Sequence, residues 1–178
     1  MTKKEYTLEV GGKQITAIFS DLVDQANSVI MSCGETRVLV TAVMSKEKSE
    51  TPWFNLTVDY IEKFYASGKI GGGRFMKREG KPTDEAVLAG RVIDRTLRPL
   101  FNQQMEYGVQ IIATVLALDE SIDPGILAVN GASLALHTSE IPWAGPIGAV
   151  RLIERNGKAI DNKTMQSKIE GSRYDLIA

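Results

Sequence analysis

The 178-residue sequence contains one cysteine, Cys33, and one histidine, His137. A single cysteine excludes an internal disulfide and any cysteine-based zinc site. A single histidine excludes a multi-histidine metal centre. No apolar run reaches the roughly 18 residues of a membrane-crossing helix. The N-terminus, Met1-Thr2-Lys3-Lys4-Glu5, leads into no apolar stretch, so no secretory signal is expected and the expected compartment is the cytoplasm. Several catalytic signatures are missing as well. No Gly-Lys pair is followed by Ser or Thr, and neither G-x-G-x-x-G nor G-x-S-x-G occurs. What is present is an ordinary globular composition, 43% hydrophobic and 24% charged, which excludes a disordered or collagen-like chain. The length suits one domain.

The net charge of −1 conceals a strong asymmetry. Residues 63–98 carry nine basic side chains (Lys63, Lys69, Arg74, Lys77, Arg78, Lys81, Arg91, Arg95, Arg98) against four acids (Glu79, Asp84, Glu85, Asp94), a balance of +5. The remaining residues hold 12 basic and 18 acidic side chains, a balance of −6. One basic segment in a nearly neutral chain fits either a local anion site or a solvated charged face.

Short β-branched runs dominate the pattern. Tyr6–Val10 and Gln14–Phe19 flank Gly11-Gly12, and Ser28–Met31 and Thr36–Met44 flank Cys33-Gly34-Glu35, so two hairpins are expected. Asn55–Tyr60 reads as a further strand, and Val109–Leu118 as a buried central one. Pro146–Glu154 and Lys158–Ile160 flank Asn156-Gly157, a third hairpin, and Tyr174–Ala178 begins another strand.

Two helices interrupt the strands. The first spans Asp84 to Leu97, with Thr83 as N-cap, acids in its first turn, and Pro99 to end it. Ala86, Ala89, Ile93 and Leu97 form its expected buried stripe. The second starts at Asp123-Pro124 and runs to about Thr138. Its small residues Gly131, Ala132, Ser133 and Ala135 would let it lie close to a sheet. Strands with hairpin connections favour an α+β fold, a mixed but largely antiparallel sheet with two principal helices on it.

The first helix carries the sharpest chemical pattern. Arg91, Arg95 and Arg98 follow i, i+4, i+7 spacing and share one face. Their guanidiniums can bind phosphates by paired hydrogen bonds. The plainer alternative is local pairing, since Asp94 stands four residues before Arg98. Before the helix, Gly71-Gly72-Gly73 precede Arg74, Phe75, Lys77, Arg78 and Lys81. Such a stretch is read as a mobile basic loop whose phenylalanine can stack on a base.

Other candidates favour structural roles. His137 falls at a helix C-terminus, where a histidine interacts with terminal carbonyls. Cys33 beside a strand serves as a small apolar filler. Asp119, Glu120 and Asp123 could hold a hard cation, but turn formation and capping account for them better.

Three runs carry a family likeness: Tyr65-Ala66-Ser67-Gly68-Lys69-Ile70; Phe75-Met76-Lys77-Arg78-Glu79-Gly80-Lys81-Pro82-Thr83; and Ala89-Gly90-Arg91-Val92-Ile93-Asp94-Arg95-Thr96-Leu97-Arg98-Pro99-Leu100-Phe101. Together they resemble the first RNase PH-like core domain of bacterial polynucleotide phosphorylases (polyribonucleotide nucleotidyltransferases). The likeness covers residues 6–178 in order, and departs at the loop between Ile70 and Phe75, which lacks an expected proline and is one residue longer.

That resemblance implies an RNase PH-like fold and a phosphate-dependent 3′–5′ exoribonuclease, which cleaves RNA to nucleoside diphosphates in mRNA degradation. It implies single-stranded RNA as partner, together with a second core domain and the neighbouring chains of a homotrimer, and no membrane. Mg²⁺ or Mn²⁺ and phosphate would serve the full-length enzyme, with none expected on this chain. No catalytic or metal residue is expected here. Phe75, Lys77, Arg78, Lys81, Arg91, Arg95 and Arg98 match the family's RNA-binding positions. Residues 1–178 are expected to be this one domain, cut before its C-terminal strands and inactive alone. The alternatives are a non-catalytic RNase PH-like ring subunit, or RNase PH itself.

Overall fold

A computed structural model describes residues 3–20, 23, 26–70, 80–119, 121–155, 158–161 and 175–178. Its first sheet is built from β1 (Lys4–Val10), β2 (Lys13–Phe19), β3 (Asn27–Cys33), β4 (Thr36–Lys48), β5 (Leu56–Ile61) and β6 (Tyr107–Ala117), in the order β1-β2-β3-β4-β6-β5. All pairs are antiparallel except β5 with β6. That parallel pair is joined through helix α1 (Asp84–Leu97), the crossover that parallel strands require. A second, smaller sheet has the order β8-β7-β9, from β7 (Arg151–Arg155), β8 (Lys158–Asp161) and β9 (Asp175–Ile177). The fold is the α+β arrangement the sequence predicts.

The turn chemistry explains the first hairpin. Gly11 and Gly12 both have positive φ, 55° and 73°, as a tight two-residue turn demands. Helix α1 begins where Thr83 Oγ1 accepts the Ala86 amide at 3.1 Å. Past Leu97 the chain tightens into a 3₁₀ turn, Arg98–Leu100, around Pro99. Helix α2 (Pro124–His137) begins with the Asp123 carboxylate accepting the Gly125 amide at 2.8 Å.

Helix α2 packs on β3, β4 and β6, and α1 packs on β5 and touches α2. The core between them contains Val29, Val38, Val40, Ile111, Val115, Val129 and Leu136, all essentially inaccessible. Gly131 is what lets α2 approach so closely: a Cβ there would stand 2.7 Å from Val40 Cγ2 and 2.9 Å from Met31 Cγ.

Two sequence expectations shift. In α1 the inward position is Gly90, against Tyr60 and Val58, and Ala89 is only half-buried. The strand expected from Pro146 begins at Arg151 instead. The cause lies in α2. Asn130 brackets Ala149, donating to its carbonyl and accepting its amide at 2.9 Å each, and Ser133 Oγ accepts the Ile147 amide at 2.9 Å. Backbone groups a strand neighbour would satisfy are satisfied here by helix side chains.

Candidate nucleic-acid interface

The three arginines of α1 do not end in equivalent environments. Arg91 and Arg95 are exposed and have no hydrogen-bond or ion-pair partner among the described residues. Arg98 is engaged. Its Nε donates to Asp94 Oδ2 at 3.0 Å, and Nη2 donates to Asp94 Oδ1 and, at 3.2 Å, to the Leu56 carbonyl. Asp94 at i−4 therefore takes Arg98, and the arginine ties the end of α1 to the start of β5. Two guanidiniums of the expected three remain to meet an anion. Arg91 borders a depression between α1 and edge strand β5, which Val58, Asp59, Val87 and Asp94 also line.

Lys81 lies at the other end of the helix. It is exposed and lines an open cleft of about 330 Å³. The cleft lies where β5 ends, α1 begins and β6 ends. A 3₁₀ turn, Phe64–Ser67, forms one wall, closed by Gly68 at φ 69° and held to β6 by the Leu118 amide donating to the Ala66 carbonyl at 2.8 Å. Tyr60, Ala66, Pro82, Ala86, Val115 and Leu118 supply its apolar surface. Glu62, Lys63, Ser67, Lys81, Thr83 and Glu85 supply its polar rim.

Tyr60 is 6% exposed. Burial drives its phenol far above the ordinary tyrosine range, and the Glu62 and Asp123 carboxylates push the same way. The folded chain therefore keeps the phenol protonated. Thr83 Oγ1 stands 3.5 Å from Glu62 Oε2. Glu62 carries no sequence signal; it becomes notable only because β5 and α1 converge on it.

Of the remaining expected site residues, Phe75, Lys77 and Arg78 lie outside the described residues, as do Arg74 and the Gly71-Gly72-Gly73 run. For Cys33, Asp119 and Asp123 the structural readings hold. Cys33 is a buried thiol in the core. His137 is exposed in the last turn of α2. Asp119 accepts the Ser121 amide at 2.9 Å and its hydroxyl at 2.8 Å, and Asp123 caps α2. Among the described residues no cluster of His, Cys, Asp or Glu is arranged to hold a metal ion. Nor is any described helix long and apolar enough to cross a membrane.

One partnership escaped the sequence reading. Arg151, at the start of β7, pairs with Asp123 at 2.6 Å, with side chains 10% and 17% exposed.

The architecture has a known counterpart. The crystal structure of rice (Oryza sativa) Rrp46 superposes with a TM-score of 0.64 over 99% of this chain and 75% of that one, at 15% identity, so the likeness is one of fold. Sequence takes the assignment further. The profile of the 3′ exoribonuclease family, domain 1, matches residues 12–142, and the chain belongs to this RNase PH family. It is similar to the N-terminal region of bacterial polyribonucleotide nucleotidyltransferases. It is 49% identical to that of Bdellovibrio bacteriovorus over 176 residues, which is 98% of this chain and 25% of the relative. The enzymes of Exiguobacterium sibiricum and Geobacter sulfurreducens are each 45% identical, over 98% and 99% of this chain and 24% and 25% of theirs. The chain thus spans about a quarter of the length of these curated relatives.

Proposed function

We propose that this chain is the RNA-binding, ring-forming core domain of a phosphate-dependent 3′–5′ exoribonuclease, and that it holds no catalytic centre of its own. The observation that carries the reading is the pair Arg91 and Arg95, exposed and without an ion-pair partner among the described residues, on one helix of a chain similar to polyribonucleotide nucleotidyltransferases. Two guanidiniums one helical turn apart suit successive phosphates of a single strand. Lys81 would extend the basic strip, and Lys77 and Arg78 would continue it along the sequence. Such contacts hold the backbone and carry no base preference. Phosphate and Mg²⁺ or Mn²⁺ would act in the full-length enzyme, in an assembly with a second core domain and neighbouring chains.

The test is the salt dependence of binding. Arg91→Ala with Arg95→Ala should weaken poly(A) and poly(U) alike and flatten the log–log salt slope by about 1.4, or ~0.7 per lost contact. An unchanged slope, or an effect on one homopolymer only, overturns the assignment. The 178-residue chain with oligoribonucleotide, phosphate and Mg²⁺ should release no nucleoside diphosphate. Release that requires phosphate and scales with protein would refute the claim that the centre lies elsewhere.

A further inference from the structure

The cleft beside Lys81 has chemistry that phosphate binding does not use. A carboxylate repels phosphate, yet Glu62 and Glu85 both line the cleft. A cleft of about 330 Å³ is at the lower end of the range for small-molecule pockets, which suits a single base. Tyr60, Pro82, Ala86 and Leu118 contribute apolar surface to it. Thr83 Oγ1 stands 3.5 Å from one carboxylate oxygen, Glu62 Oε2. A carboxylate has roughly four acceptor positions, so most of them are left for a ligand.

We propose that this cleft seats a guanine base, with Glu62 accepting its N1–H and N2–H₂ and Lys81 meeting its phosphate. The choice among bases follows from their hydrogen-bonding edges. Guanine alone presents two adjacent N–H donors, which one carboxylate can accept together. Adenine and cytosine each place a ring acceptor beside their amino group, and uracil has one donor between two carbonyls. Each of these would set a lone pair against the Glu62 oxygens. Unstacked bases of single-stranded RNA are read in this way, edge by edge, with an apolar surface against the ring. The guanine can belong to an RNA strand or to a free nucleotide. The first case rests on the RNA-binding reading above and adds to it base selection at one position of the strand.

The experiment compares otherwise identical oligouridylates that carry one central guanine, inosine or adenine, together with free GMP and AMP. Guanine should bind about tenfold better than adenine, the discrimination of one good bidentate contact. Inosine, which lacks the N2 amino group, should fall between them. Glu62→Ala should erase the difference while leaving oligouridylate affinity and its salt slope unchanged. Glu62→Gln, which keeps shape and one acceptor, should retain part of it. Arg91→Ala with Arg95→Ala should do the reverse, flattening the salt slope and keeping the guanine preference. If oligouridylate does not bind but GMP is preferred over AMP in a Glu62-dependent way, the RNA reading falls and the guanine cleft stands, filled by free nucleotide. Equal affinity for guanine and adenine in the unmodified protein, or a preference that survives Glu62→Ala, overturns the proposal.

Discussion

The carboxylate of Asp123 serves two partners at once: it accepts the Gly125 amide at 2.8 Å and the Arg151 guanidinium at 2.6 Å. The N-terminus of α2 is thereby fastened to the first residue of β7. Because both side chains are largely withdrawn from water, removing one partner leaves the other charge buried and uncompensated. Asp123→Asn keeps an oxygen for the cap and removes the charge facing Arg151. It should lower stability in urea by about 3 kcal/mol, the lower range for breaking a buried pair. Arg151→Met leaves Asp123 its capping amide and the positive end of the helix, and should cost less. Equal losses would show that the shared loss of the pair dominates, and not the arginine charge that Asp123→Asn leaves unpaired.

Two helix glycines should respond to alanine with opposite signs. At Gly90 a new Cβ meets Tyr60 Cβ at 3.6 Å, an ordinary contact. Gly90→Ala should stabilise by roughly 0.5–1 kcal/mol through helix propensity. At Gly131 the Cβ would stand 2.7 Å from Val40 Cγ2, deep in the core. Gly131→Ala should destabilise by about 1–3 kcal/mol despite the same propensity gain. Paired thermal melts read both.

Alkaline pH should probe Tyr60. Below about pH 10 the phenol is neutral in folded and unfolded chains alike. Above it the unfolded chain ionises, while burial keeps the folded one protonated. Unfolding then releases a proton, and stability falls as pH rises. Tyr60 should contribute about 1.4 kcal/mol per pH unit in that window. Tyr60→Phe should unfold with an alkaline slope shallower by one proton; an identical slope would show that Tyr60 ionises freely in the folded protein.

The arginines of α1 should separate by readout. Arg98→Ala loses its bonds to Asp94 and to the Leu56 carbonyl and should cost about 1 kcal/mol of stability, a part-exposed pair. Its RNA affinity, measured on the folded protein, should show little change in salt slope. Arg91→Ala and Arg95→Ala should leave the melting temperature within experimental scatter. A salt-slope loss in Arg98→Ala as large as theirs would place all three on one phosphate path.

Much of the fold is legible in local sequence. Gly11-Gly12 reveals the first hairpin because two successive positive φ angles need residues without Cβ atoms. Thr83 and Asp123 announce both helices because an N-cap oxygen satisfies amides that no helical carbonyl reaches. The family is legible too, in the runs around Arg91 and Lys81. Less legible is the start of β7. Its alternating pattern begins earlier in the sequence, but Asn130 and Ser133 capture the backbone of Ile147 and Ala149 from a helix some fifteen residues away.

For the site, sequence alone determined the basic segment and the helix that displays it, since charge and 3.6-residue spacing are properties of the chain. Which arginines stay available was a tertiary decision. Asp94 lies within one turn of both Arg91 and Arg98, and the Leu56 carbonyl on β5 supplies a second acceptor that only Arg98 reaches. The same holds for Glu62 and for the Asp123–Arg151 pair. Twenty-one residues separate Glu62 from Thr83, and 28 separate Asp123 from Arg151. No local pattern encodes such distances. They close because hydrophobic burial of α1 and α2 against one sheet face brings the ends of β5, β6, β7 and both helices together, and the polar groups carried there must then find one another.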